Sequence, residues 1–140
     1  MEDTTLATAL VRLAQLVSRV YAEVGKEFEL TPQQTQLLCM LLGGSTGMTD
    51  MSRALGLERS SMTGLVDRAE RRGVVARVRD QRDRRAACIE LTEQGKEIAY
   101  AAHRKVTEHV EKLIGDIAPD DRERLEHLVW TIVGTPAPRS

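Results

Sequence analysis

The sequence predicts a mainly α-helical fold with one small β-hairpin, and three observations carry that prediction. Apolar residues recur at three- and four-residue steps over most of the 140 residues. Two short β-like runs, 74–79 and 86–91, stand between helical patterns and are joined by a turn packed with Asp and Arg. Aromatics are scarce (Tyr21, Phe28, Tyr100 and Trp130), so the apolar content is mostly Leu, Val, Ile, Ala and Met, residues that suit helices.

The first helix shows Leu6, Leu10, Leu13, Val17, Val20 and Val24, a heptad-like seam of alternating four- and three-residue steps. Asp3 is the expected N-cap and Gly25 marks the expected end. Such a seam exceeds what one small core needs, so this helix is expected to pack on a second chain. Thr31-Pro32-Gln33-Gln34 is a capping box with Pro at the first helical position, opening a buried second helix that Gly43-Gly44 stops. Gly47-Met48 reads as a link, and Thr49 as the cap of a short third helix over 50–55 that Gly56 closes. The fourth helix, 59–72, buries Met62, Leu65, Val66 and Ala69, spaced i, i+3, i+4, i+7, and ends at Gly73. In the second strand Ile89 and Leu91 share one face, Cys88 and Glu90 the other. Thr92 caps a long fifth helix with the stripe Ile98, Ala102, Val106, Val110, Leu113 and Ile117, broken at Ala118-Pro119. A sixth amphipathic helix follows, and 135–140 reads as a flexible tail.

Helix, turn, helix and then a hairpin describes a winged helix-turn-helix, here flanked by N- and C-terminal helices expected to make a dimer. Residues 30–91 form the expected DNA-binding lobe, and 1–29 with 92–134 the dimerisation lobe of a single domain.

The net charge of −1 conceals an asymmetry. Between residues 53 and 85 there are ten arginines against five acids, a net of +5, which leaves −6 on the remainder. A basic working face on an acidic body suits a duplex partner and limits non-specific adhesion. Arginine offers a planar fork for phosphate oxygens and guanine edges. On a helical wheel Ser60, Gly64, Asp67 and Arg71 lie opposite the buried face, with Thr63 and Arg68 on the flanks. Ser60, Ser61 and Thr63 place small hydroxyls at the end of the helix that meets bases, and Gly64 permits close backbone approach. Arg68, Arg71 and Arg72 are phosphate contacts or a solvated face. At the hairpin tip Arg82, Arg84 and Arg85 are candidates for a minor groove, steadied by Asp80 and Asp83. Asp67, a carboxylate on a face meant for a polyanion, is expected to pair with a hairpin arginine and so fix the wing against the helix.

Leu65-Val66-Asp67-Arg68, Arg72-Gly73-Val74-Val75, Asp80-Gln81-Arg82-Asp83-Arg84-Arg85 and Ile89-Glu90-Leu91-Thr92-Glu93-Gln94-Gly95 together resemble the MarR family (multiple antibiotic resistance regulators) over nearly the whole chain. The resemblance implies a homodimeric winged-helix transcription regulator, usually a repressor, on a pseudo-palindromic operator. It also implies a small-molecule effector held between the two lobes. Where some members carry a base-contacting arginine this chain has Gly64, which shifts readout to Ser60, Ser61, Thr63 and the wing.

Other functions find less support. There is no phosphate-cradling glycine loop, nucleophile elbow or Ser/His/Asp cluster, so an enzyme is not expected, nor a cofactor. His103, His109 and His127 lack metal-ligand spacing. Cys39 and Cys88 read as core thiols, with redox sensing the alternative. Tyr21 and Met40 are candidates to line an effector cavity, core packing being the plainer reading of both. A wing used only for protein contacts is the third alternative. With no long apolar run and no basic N-terminal leader, no membrane partner and a cytoplasmic location are expected.

Overall fold

The computed structural model describes residues 3–80, 82 and 86–134. Among the described residues six helices and three strands follow in the order α1 (Leu6–Glu27), α2 (Pro32–Leu41), β1 (Thr46–Gly47), α3 (Met48–Leu55), α4 (Arg59–Arg71), β2 (Val75–Arg79), β3 (Ala87–Leu91), α5 (Glu93–Leu113) and α6 (Pro119–Val133). The proposed tail, 135–140, lies outside the described residues.

Helix α1 begins two residues later than Asp3 suggests. Thr5 is the N-cap, accepting from the Thr8 amide, while Asp3 accepts from the Thr5 amide at 3.0 Å and the Thr8 hydroxyl at 2.6 Å. Those hydrogen bonds, Thr8 foremost, hold the Asp3 carboxyl below its ordinary range. The helix also runs through Gly25 to Glu27. Gly25 is a crossing point, because a Cβ there would lie 2.6 Å from Thr35 Oγ1 and 2.7 Å from the Leu30 carbonyl oxygen. The end is made by Glu29 in a left-handed conformation, φ 56°, with the Leu30 amide returning to Gly25 O at 2.9 Å. The Thr31–Gln34 capping box is present in both directions.

A third strand, absent from the sequence reading, occupies the presumed link at Gly47. Thr46 pairs with Ile89 and Gly47 with Cys88, so β3 is the central strand of an antiparallel β1-β3-β2 sheet. Helix α3 therefore starts at Met48, capped by Gly47, rather than at Asp50 behind Thr49. Helix α5 stops at Leu113, which leaves Ile117 outside its stripe. Cys88 is buried beside Ile89, although the strand alternation puts it on the Glu90 face.

One core joins α2, α3, α4, the sheet and the start of α5, centred on Leu37, Leu38, Met51, Met62, Leu65, Val66 and Ile89. A smaller cluster, Val20, Val24, Ala102 and Val106, sews α1 to α5. Beyond these, apolar side chains are left uncovered. Leu6, Leu10, Val11 and Leu13 of α1 are exposed, and α6 buries none of its residues. Trp130 is 41% exposed in the single chain and so is no core residue. Among the described residues no helix is long and apolar enough to cross a membrane.

Candidate nucleic-acid interface

Helix α4 buries the four residues its periodicity selects, Met62, Leu65, Val66 and Ala69, each no more than 1% exposed. That burial fixes its rotation, and Ser60, Ser61 and Thr63 are consequently all exposed. Thr63 donates its hydroxyl hydrogen to the Arg59 carbonyl at 2.9 Å, so its lone pairs and methyl face outward while its proton is committed. Glu58, the N-cap, makes no side-chain capping bond, and the first-turn amides stay available to an anion. Gly64 is half-buried beneath Arg68, whose Nη1 would lie 3.3 Å from a Cβ at that position. Arg68 thus folds back along its own helix. Arg71 is exposed, with Nε 3.4 Å from the Asp67 carbonyl.

Asp67 does pair with a hairpin arginine, but the partner is at the root of the wing rather than its tip. Arg77 Nη2 meets Asp67 Oδ1 at 2.5 Å, and Arg77 Nη1 meets Glu70 Oε1 at 2.6 Å. One guanidinium on β2 therefore bridges two carboxylates one turn apart on α4. The Asp67 hydrogen bond raises the Arg77 pKa above its ordinary value, with Glu70 adding to it. Glu70 was not anticipated; an acid three residues after Asp67, on the face opposite a hairpin of arginines, was the available signal.

Arg72 departs from expectation more sharply. It is half-buried, and its two terminal nitrogens donate to the backbone carbonyls of Phe28 and Glu29 at the end of α1 instead of being left to a phosphate. Nothing local encodes a contact across more than forty residues.

At the tip, Asp80 accepts from the Arg82 amide at 2.9 Å, an Asx-type turn that leaves the Arg82 side chain exposed. Arg84, Arg85 and Asp83 lie outside the described residues.

Tyr21 and Met40 share one open cleft of about 380 Å³, together with Gln36, Cys39, Leu55 and His103. It lies where α1 and α5 meet α2 and α3. Burial pushes the Cys39 thiol up to about 11 and, with Cys39 beside it, raises Tyr21 as well. Cys88 is raised too, by burial first and then by Asp80. Raised thiols hold less thiolate at neutral pH, the opposite of what a redox sensor requires. Among the described residues no cluster of three His, Cys, Asp or Glu could hold a metal.

Comparison with known proteins agrees with this architecture. A family model described as "MarR family" matches residues 28–86. The transcriptional activatory protein BadR of Rhodopseudomonas palustris is 31% identical over 109 residues, which cover 74% of this chain and 62% of BadR, so the chain spans about three fifths of that relative. The homoprotocatechuate degradative operon repressor of Escherichia coli is 26% identical over 130 residues, 92% of this chain and 87% of the repressor. In structure, CouR from Rhodococcus jostii RHA1, solved bound to p-coumaroyl-CoA, superimposes with a TM-score of 0.81 at 21% identity over 97% of this chain and 96% of CouR. At that identity the likeness is one of fold.

Proposed function

We propose that the chain is a member of the MarR family, on the family-model match over residues 28–86 and its similarity to BadR and the homoprotocatechuate repressor, and that it is a sequence-specific, ligand-responsive transcription regulator, a repressor acting as a homodimer on a pseudo-palindromic duplex. One observation carries the reading above the others: α4 exposes a hydroxyl-bearing N-terminal end while a single arginine, Arg77, braces the wing against the same helix. A helix that reads bases and a wing that reaches a flanking groove work only at a fixed mutual angle. Ser60, Ser61, Thr63 and Gly64 are the proposed base-reading surface, Arg68 and Arg71 the phosphate contacts, and Arg82, Arg84 and Arg85 the wing's contribution. The lobes proposed are 30–91 for DNA and 1–29 with 92–134 for dimerisation. The uncovered apolar residues of α1 and α6 support the second copy.

The cleft at Tyr21 and Met40 is the proposed effector site. Its volume suits one aromatic ring with a polar tail, the tail meeting Gln36 or His103. The names of the relatives point the same way, since one represses homoprotocatechuate degradation and CouR was solved with p-coumaroyl-CoA. An aromatic acid or its thioester is therefore the proposed class. No catalytic role is proposed.

The decisive experiment is selection from a random duplex library by the purified protein. Enrichment of an inverted repeat of roughly 16–20 bp, bound with a steep salt dependence, is the expected result. Recovery of no sequence, with no retention on heparin, would leave a wing used only for protein contacts.

A further inference from the structure

Arg72 sits at the C-cap of α4, and both arms of its fork are spent on the carbonyls of Phe28, the C-cap of α1, and Glu29, in the turn just beyond it. Helix C-termini leave such carbonyls without intrahelical partners and carry partial negative charge, so a half-buried guanidinium is well matched there. The turn that Arg72 grips is held from the other side by α5. Lys105 pairs with Glu27, and its Nζ lies 5.5 Å from the Phe28 ring centroid. The next two residues of the chain are tied to α5 in turn. The Gly73 carbonyl accepts from the Thr92 hydroxyl at 2.6 Å, and the Val74 carbonyl from the Thr92 amide at 3.1 Å. Residues 72–74 are therefore a junction where the base-reading helix, the wing, α1 and α5 are joined within three residues.

A helix of 13 residues is roughly 20 Å long, so a pivot of about 5° at its C-terminal end would displace its N-terminal end by roughly 1.7 Å. A displacement of that size breaks hydrogen bonds to base edges, whose useful range spans about 0.5 Å, while phosphate contacts through long side chains can follow it.

We infer that Arg72 is a positioning residue for specific DNA binding: it touches no nucleic acid and aims α4 by anchoring its far end to the dimerisation helices. The inference rests on the DNA-binding reading above. A phosphate-contacting arginine and a positioning arginine differ in what their loss does to salt dependence, because only the first releases counterions.

The test uses the full-length R72Q and R72K variants, with R71A as the comparator for a phosphate contact. Each is titrated with the duplex that the wild-type protein selects and with a random-sequence duplex of equal length, over a range of salt. For R72Q the ratio of the two affinities should fall about tenfold or more, with the salt slope of random-duplex binding unchanged. R72K, which can reach one carbonyl but not both, should fall between R72Q and wild type. For R71A both affinities should fall together, with a slope smaller by about one. A smaller slope for R72Q would overturn the inference, as would equal losses on both duplexes or an unchanged ratio. Should R72Q fail to fold, R72K is read by the same criteria. A wild-type protein that binds neither duplex would instead refute the DNA-binding reading itself.

Discussion

At the scale of single residues, the acids of the basic block assign the arginines their work. Arg77 is held by Asp67 and Glu70, and Arg72 by two carbonyls, so neither is available to a phosphate. The Arg77 pair is about a third to a half exposed, and its direct worth to stability is about 0.5 kcal/mol. Arg77→Ala is therefore expected to leave thermal unfolding nearly unchanged while weakening the selected duplex by roughly 1–3 kcal/mol in a gel-shift titration. The thiols make a second prediction. Cys39, raised from 9.0 to about 11, favours its protonated form in the folded state. Its contribution is thus complete below about pH 9 and is lost as pH rises toward 11, where the unfolded chain has released the proton and the native chain has not. Chemical denaturation between pH 8 and 11 should show stability declining across that window. At pH 7.5 iodoacetamide should label Cys39 and Cys88 far more slowly in native than in denatured protein; equal rates would contradict the raised values.

At the scale of elements, two close backbone passages fix how helices meet. A Cβ at Gly95 would lie 2.8 Å from the Val74 carbonyl carbon and closer still to its oxygen, so the first turn of α5 can rest on the start of β2 only as glycine. Gly95→Ala should cost about 1–3 kcal/mol or more by forcing these segments apart, measured as a lowered midpoint in urea. Glu29 is the converse case, a side chain where the backbone has φ 56°. Glu29→Gly should raise stability by about 1 kcal/mol and lift the melting temperature by a few degrees, since it removes both a left-handed penalty and an acid at a helix C-terminus. Most elements were legible because each states its own rule: the capping box at Thr31, the buried stripe of α4 and the glycine after it. Strand β1 was illegible because two residues carry no periodicity, and its pairing with β3 depends on a partner more than forty residues away. Arg72 was hidden for the same reason, and Arg77 was visible only as an unnamed partner for Asp67. The Asp3 cap failed by competition, since Thr5 occupies the capping position and Asp3 supports it.

At the scale of the molecule, α6 presents Leu125, Leu128, Val129, Trp130, Ile132 and Val133 without burying any of them in its own chain. A 2.8 Å ion pair between Arg122 and Glu111 ties it to α5, and an exposed pair of that kind contributes little. Truncation before Pro119 should accordingly leave the 30–91 lobe folded by circular dichroism but yield monomers in analytical ultracentrifugation, with operator affinity collapsing as the second half-site is lost. A truncated chain that still sediments as a dimer would place the interface elsewhere. The sheet has a consequence of a different kind. With β3 central, its two edges are β1, only two residues long, and β2, whose Arg77 and Arg79 stand two apart. A short edge and a charged edge are poor templates for a further strand. Copies of this hairpin crowded along one duplex should therefore remain discrete particles instead of seeding β-linked polymers.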